Sequence, residues 1–208
     1  MTTNHQRATI NLNKLENLIP DKPLINLWAS DQSTNLNNPP PLPKHESNTK
    51  TGQLETRFIC KEGAPVMITT NSQNAKYKNN GIVNGARGYI DSFQYNKEDH
   101  NSLEYIWVRF TDDKIGQALR KDNKHLLQEH EPNDKLAVPI RKIKKTFSPN
   151  KGNTNYVRSQ FPLTVCFAVT THKVMNKYLF FINILILIII LESRPNTRRG
   201  YCGLSRDD

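Results

Sequence analysis

Residues 104–110 read EYIWVRF, and this strict alternation constrains the fold more than any other feature of the chain. Successive side chains of an extended strand point to opposite faces. Ile106, Val108 and Phe110 then share one face, and Tyr105, Trp107 and Arg109 share the other. Such a strand needs neighbours, and the sequence supplies them nearby. Residues 65–71, PVMITTN, are short and β-branched; residues 89–93, YIDSF, follow the closely spaced glycines of GIVNGARG at 81–88. Short strands separated by Gly and Asn turns predict a small antiparallel barrel or sandwich. Asn84, Gly85 and Gly88 are the positions where a hairpin turn would require positive φ.

The flanks are less regular. Residues 136–143 alternate apolar side chains around Pro139, which predicts an edge strand leading into the basic run Arg141, Lys142, Lys144 and Lys145. Residues 162–171, PLTVCFAVTT, read as a strand with two buriable faces, as in the parallel sheet of an α/β domain. His172 and Lys173 would follow at its C-terminal end, where such sheets place ligand-contacting loops. In residues 113–130, Ile115, Leu119, Leu126 and Leu127 could line a helix, against which Gly116 counts. Residues 1–56 carry few signals. Leu12, Leu15, Leu18 and Ile19 predict one short helix ending before Pro20, and NLNNPPPLP at 35–43 reads as a spacer or as a ligand for a proline-binding module.

Charge narrows the partner. The 208 residues carry a net charge of +10, with a pI of about 9.6. Such an excess suits a polyanion, either nucleic acid or an acidic membrane surface. The excess is concentrated: acids outnumber bases over residues 91–134, whereas residues 135–191 hold no acid at all and include Lys135, Lys151, Arg158 and Lys177 beside the basic run. Hydrophobic residues are only 36%, which predicts a folded middle with loose ends. Cys60, Cys166 and Cys202 lie far apart, without zinc-ligand spacing, and read as free thiols in a reducing compartment.

Three blocks then resemble a known family in their order and separation. EGAPVMITTN at 62–71 with GIVNGARGYI at 81–90, WVRF at 107–110, and QFPLTVCFAVTTHK at 160–173 resemble the C-terminal part of the PIF/RecD-like group of superfamily-one ATP-dependent DNA helicases. The resemblance covers roughly residues 57–173. It implies an α/β fragment, in which a small antiparallel Src-homology-3-like barrel is inserted beside part of a parallel-sheet motor domain. The implied divisions are a partly disordered segment at 1–56, the barrel at 57–145, a motor-domain remnant at 146–173 and a divergent tail at 174–208. The implied partner is single-stranded DNA, met by Thr170, Thr171, His172 and Lys173, by Arg141, Lys142, Lys144 and Lys145, and by Asn84 and Arg87. Hydroxyls, backbone N–H groups and cations are the groups that contact phosphates.

The chain also departs from the family pattern. No G-x-x-x-x-G-K-[ST] loop occurs, so nothing in this sequence would position a γ-phosphate. The chain alone is therefore expected neither to hydrolyse ATP nor to unwind DNA, and to hold no cofactor, whereas the full-length family uses ATP and magnesium. After Lys173 the family's Ser-Gln-Gly is replaced by Val174-Met175-Asn176. One reading of this change is intron or out-of-frame sequence, which a transcript reading straight through to Asp208 would contradict. Arg206, in YCGLSR, stands where the family carries an arginine finger. The greasy run at 178–191 would make a helix of about 21 Å, against a bilayer core of about 30 Å. It supports an alternative reading as a membrane-tethered basic protein without enzymatic activity. A third reading is a β-rich interaction module presenting the proline-rich segment. The family resemblance implies a nuclear or mitochondrial location.

Overall fold

A computed structural model of the chain describes residues 4–34, 51–148 and 155–168. Their strands in chain order are β1 (Ile25–Trp28), β2 (Ser30–Ser33), β3 (Arg57–Cys60), β4 (Pro65–Ile68), β5 (Arg87–Tyr95), β6 (Leu103–Phe110), β7 (Val138–Arg141), β8 (Ile143–Phe147), β9 (Tyr156–Gln160) and β10 (Leu163–Val165). The helices are α1 (Asn4–Glu16), α2 (Ala75–Asn79) and α3 (Gln117–Asp122), with a 3-10 turn at Lys124–Gln128.

The alternation of residues 104–110 places β6 at the heart of the molecule. Ile106, Val108 and Phe110 are at most 2% exposed. They pack in the main core with Phe58 of β3, Val66 and Ile68 of β4, Ile90 of β5, Val138 and Ile140 of β7, and Leu15 of α1. The opposite face of β6 is covered too. Trp107 is buried with Leu126 and Ala137, and its Nε1–H donates to Gln94 Oε1 at 3.0 Å. A buried indole needs such a partner.

Three sheets result: β10-β4-β5-β6-β7, β2-β9-β8 and the pair β1-β3. The chain is thus built of strands with a minority of helix, but every strand pairing described is antiparallel. Two finer expectations are corrected. First, the five-stranded sheet is open rather than a closed barrel. Its edge β7 carries Pro139, opposite Trp107, and proline has no N–H to offer a further strand. At Lys142 the chain leaves this sheet, and β8 pairs with β9 instead. Second, the strand expected over 162–171 is only three residues long and runs antiparallel to β4. Asn11 of α1 takes over where its ladder ends: the Asn11 side chain donates to the Val165 carbonyl at 3.0 Å and accepts from the Ala168 N–H at 2.8 Å.

The amino-terminal helix forms before Pro20 and buries Leu15, but it ends at Glu16, so Leu18 and Ile19 lie beyond it, and Leu12 is exposed. Beyond it, β1 and β2 occupy a stretch where the sequence predicts no strand. β1 pairs with β3 and β2 with β9. β8 likewise runs through the division expected at residue 145. The glue is a buried ion pair: Arg158 of β9 donates to Asp31 of β2 through Nε at 2.8 Å and Nη2 at 2.7 Å. Its Nη1 donates to Thr56 Oγ1 at 3.0 Å, and the guanidinium lies 5.2 Å from the Phe147 ring centre. Arg158 therefore does not belong to the phosphate-facing charge that the sequence suggested.

The glycines of 81–88 divide by cause. Gly81 and Gly85 have positive φ, but Gly88 does not. A Cβ on Gly88 would lie 2.5 Å from the Arg109 carbonyl oxygen and 2.9 Å from Phe110 Cα. Its side chain is excluded by the close approach of β6, not by a turn.

Candidate nucleic-acid interface

A groove of about 400 Å³ opens between α2, α3 and the β7 edge. The loop after β4 forms one wall with a run of amides and hydroxyls, Thr70 to Asn74. Asn74 caps α2 by accepting the Lys76 N–H at 2.9 Å, and Tyr77 of this helix lines the groove. Tyr105 of β6 and Arg141 of β7, paired across the strands, stand on the other side. Ile68, Ile82, Ile140, Pro139 and Pro162 are among its apolar lining, and among the described residues no carboxylate lines it.

The groove is braced from behind. The Tyr77 hydroxyl donates to Asp122 Oδ2 at 3.0 Å, and Lys76 Nζ lies 2.7 Å from the same carboxylate. Asn80 Oδ1 accepts the Ala118 N–H at 2.7 Å, tying α2 to α3. Burial pushes the phenols of Tyr77 and Tyr105 above their usual range; the Asp122 hydrogen bond adds to this at Tyr77, and Glu104 adds at Tyr105. Both rings are therefore neutral donors near pH 7. Two aromatic rings, one guanidinium and a polar strip without carboxylates suit a single nucleic-acid strand. The rings can stack bases and the cation can meet phosphate.

The sequence-based candidates separate in space. Arg141 lines the groove. Lys142 sits 5.6 Å from the Phe161 ring centre. Lys144 is exposed, whereas the half-buried Lys145 faces the other way, where a Cβ on Gly52 would come within 3.2 Å of it. The expected cluster is thus distributed by strand alternation. Asn84 braces a loop: its N–H donates to Asn71 Oδ1 at 2.8 Å and its side-chain amide to Gln53 Oε1 at 3.3 Å. Arg87 is exposed at the start of β5, away from the groove lining. Trp107, which shares a face of β6 with Tyr105, is buried. Thr170, Thr171, His172, Lys173, Arg206 and the run 178–191 lie outside the described residues. Among the described residues no helix is long and apolar enough to cross a membrane. Tyr77 and the strip at 70–74 escaped sequence reading; the Asn-x-x-Tyr cap of a five-residue helix is too short to show periodicity.

A Ser–His contact lies elsewhere. Ser92 donates to Asp91 Oδ2 at 3.0 Å, and its oxygen lies 2.9 Å from His130 Nε2. With its proton directed to the Asp91 carboxylate, the Ser92 hydroxyl ties β5 to the segment that carries His130. His130 also stacks on Trp107 at 5.7 Å. Burial lowers the His130 pKa, and Asp91 opposes this only in part. The folded chain then binds fewer protons at this site than the unfolded chain. Stability from this group is present in full above about pH 6.5 and falls as pH drops from there toward the lowered folded value. Thermal melting should show this loss between neutral and mildly acidic pH, and His130→Gln should flatten it.

No family model matches the chain, and no curated protein matches it in sequence. Solved helicase structures do match in fold. Among the matching structures are Pif1 helicases. That of Candida albicans aligns with a TM-score of 0.51 at 18% identity, over 83% of this chain and 35% of the other. Unliganded Pif1 from Bacteroides sp gives 0.48 at 16% identity, over 83% and 40%. Bacteroides Pif1 bound to ssDNA gives 0.48 at 16%, over 83% and 30%. The chain spans only 35% of the Candida albicans structure. Its fold is that of part of a Pif1-like helicase.

Proposed function

We propose that this chain is a nucleic-acid-binding piece of an ATP-dependent DNA helicase of the PIF group, and that it holds single-stranded DNA in the groove between Tyr77, Tyr105 and Arg141. The observation that carries the proposal is the fold shared with the Candida albicans Pif1 helicase across 83% of this chain. The groove chemistry agrees with it. Contacts of Thr170, Thr171, His172 and Lys173 with the strand belong to the same reading. ATP and magnesium would be held by groups that this sequence does not contain, so the chain alone should bind DNA without hydrolysing ATP. The run 178–191, on which the membrane-tether reading rests, lies outside the described residues.

Substitution tests the groove directly. Arg141→Glu should weaken binding of a labelled single-stranded oligonucleotide about tenfold or more, because a cation is lost and a repelling charge gained. Tyr105→Ala should cost a similar factor through lost stacking. Wild-type affinity in both variants, with folding intact, would refute the groove assignment.

A further inference from the structure

We propose that the outward face of β2-β9-β8, together with Trp28 and Arg57, is a second contact surface for a single nucleic-acid strand, separate from the groove. The inference rests on the single-strand-binding reading above and extends it to a surface that reading does not use.

The register defines the face. Ser30 of β2 lies opposite Ser159 of β9, which lies opposite Lys144 of β8. Two residues along, Gln32, Val157 and Thr146 form the next row. The intervening row, Asp31, Arg158 and Lys145, points to the other side. Pleating alone thus sorts the charges. Asp31 is the only carboxylate in β1, β2, β3, β8 and β9, and it is turned inward against Arg158. The outward rows keep Lys144, hydroxyls, one amide and one valine. Glu55 lies beside Arg57, where it accepts the Thr164 hydroxyl; the outward rows themselves hold a cation and no carboxylate, which is complementary to phosphate.

Trp28 adds the base-recognising element. Exposed positions alternate along the chain at Asn26, Trp28, Ser30 and Gln32. Trp28 is 64% exposed, although burying an indole is strongly favourable. Arg57, its cross-strand partner, lies 5.2 Å from the ring centre. The guanidinium is itself held by Asn26 Oδ1 at 2.7 and 3.1 Å. The ring is thereby held in place from one side with its remaining surface open. Planar stacking on an exposed aromatic beside backbone-binding cations is how single strands are held without regard to sequence.

The two tryptophans make a clean test, since Trp107 is 1% exposed and out of reach. The full chain is titrated with unlabelled oligothymidylate while indole emission is followed. The emission of the exposed Trp28 should be quenched, and Trp28→Phe should abolish the quenching while retaining affinity. Trp28→Ala should weaken binding about tenfold, and Lys144→Ser less, with Trp107 emission confirming the fold of each. Binding that leaves Trp28 emission unchanged and is insensitive to Trp28→Ala, yet is lost in Arg141→Glu, would overturn this surface and leave the groove assignment standing. A folded chain that binds no oligothymidylate would overturn both, and would leave the face to a protein partner or to solvent.

Discussion

Arg158→Ala should cost about 3–5 kcal/mol of folding stability, the penalty for stranding one member of a buried ion pair. Domains of this kind have only about 5–15 kcal/mol to lose. The side chains of Arg158 and Asp31 are 3% and 10% exposed. The guanidinium also donates to the Thr56 hydroxyl and the Leu54 carbonyl; its loss takes the donor from the Asp31 carboxylate and the Thr56 hydroxyl, while the Leu54 carbonyl keeps the Thr51 hydroxyl. The effect should appear as a large drop in the urea midpoint. Arg158→Lys should recover little of it, because an ammonium cannot reproduce the two-pronged contact. Arg158→Met combined with Asp31→Leu should recover much of it, since an apolar pair leaves no buried charge unmatched. A single Arg158→Ala change that left the midpoint where it was would show that β2 and β9 are not joined in this way.

Gly88→Ala should cost about 1–3 kcal/mol or more, as overpacking does, although Gly88 has no positive φ. The atoms that a Cβ would strike are the Arg109 carbonyl oxygen and Phe110 Cα. Both are backbone of the central strand β6, and neither is the free end of a flexible side chain. Gly85→Ala is the informative control. Gly85 has φ of 93° with nothing within 4 Å of the added carbon, so it should lose only about 1 kcal/mol through left-handed strain. Thermal melts of the two variants should therefore rank Gly88→Ala below Gly85→Ala. The reverse order would mean that β5 and β6 do not approach each other this closely.

The same two residues show what could and could not be read in advance. Gly85 and Gly88 look alike in sequence, and both invite a turn explanation. Only the approach of β6 separates them, and that is a tertiary fact. Arg158 looks like one more cation in an acid-free stretch; its partner lies 127 positions away. Features with a local cause were legible. The alternation of β6 gave both of its faces, Pro139 marked the edge strand β7, and Leu15 gave the buried side of α1. β2, with the sequence SDQS, has little strand preference of its own and forms because β9 pairs with it. The basic run was legible as charge but not as a site, because pleating sends Lys144 and Lys145 to opposite sides. The groove was the least legible element. It gathers Tyr77 from a five-residue helix, Tyr105 from β6 and Arg141 from β7, and no single window of sequence contains them.

The most direct test of the central claim is the affinity of the full chain for a labelled single-stranded oligonucleotide across a salt series. Neutralising about three phosphates predicts that log K falls against log salt with a slope of about −2. Binding that weakens in this way would support a DNA-holding part of a helicase. A folded chain that fails to bind at low salt, or that binds with no salt dependence, would contradict the account.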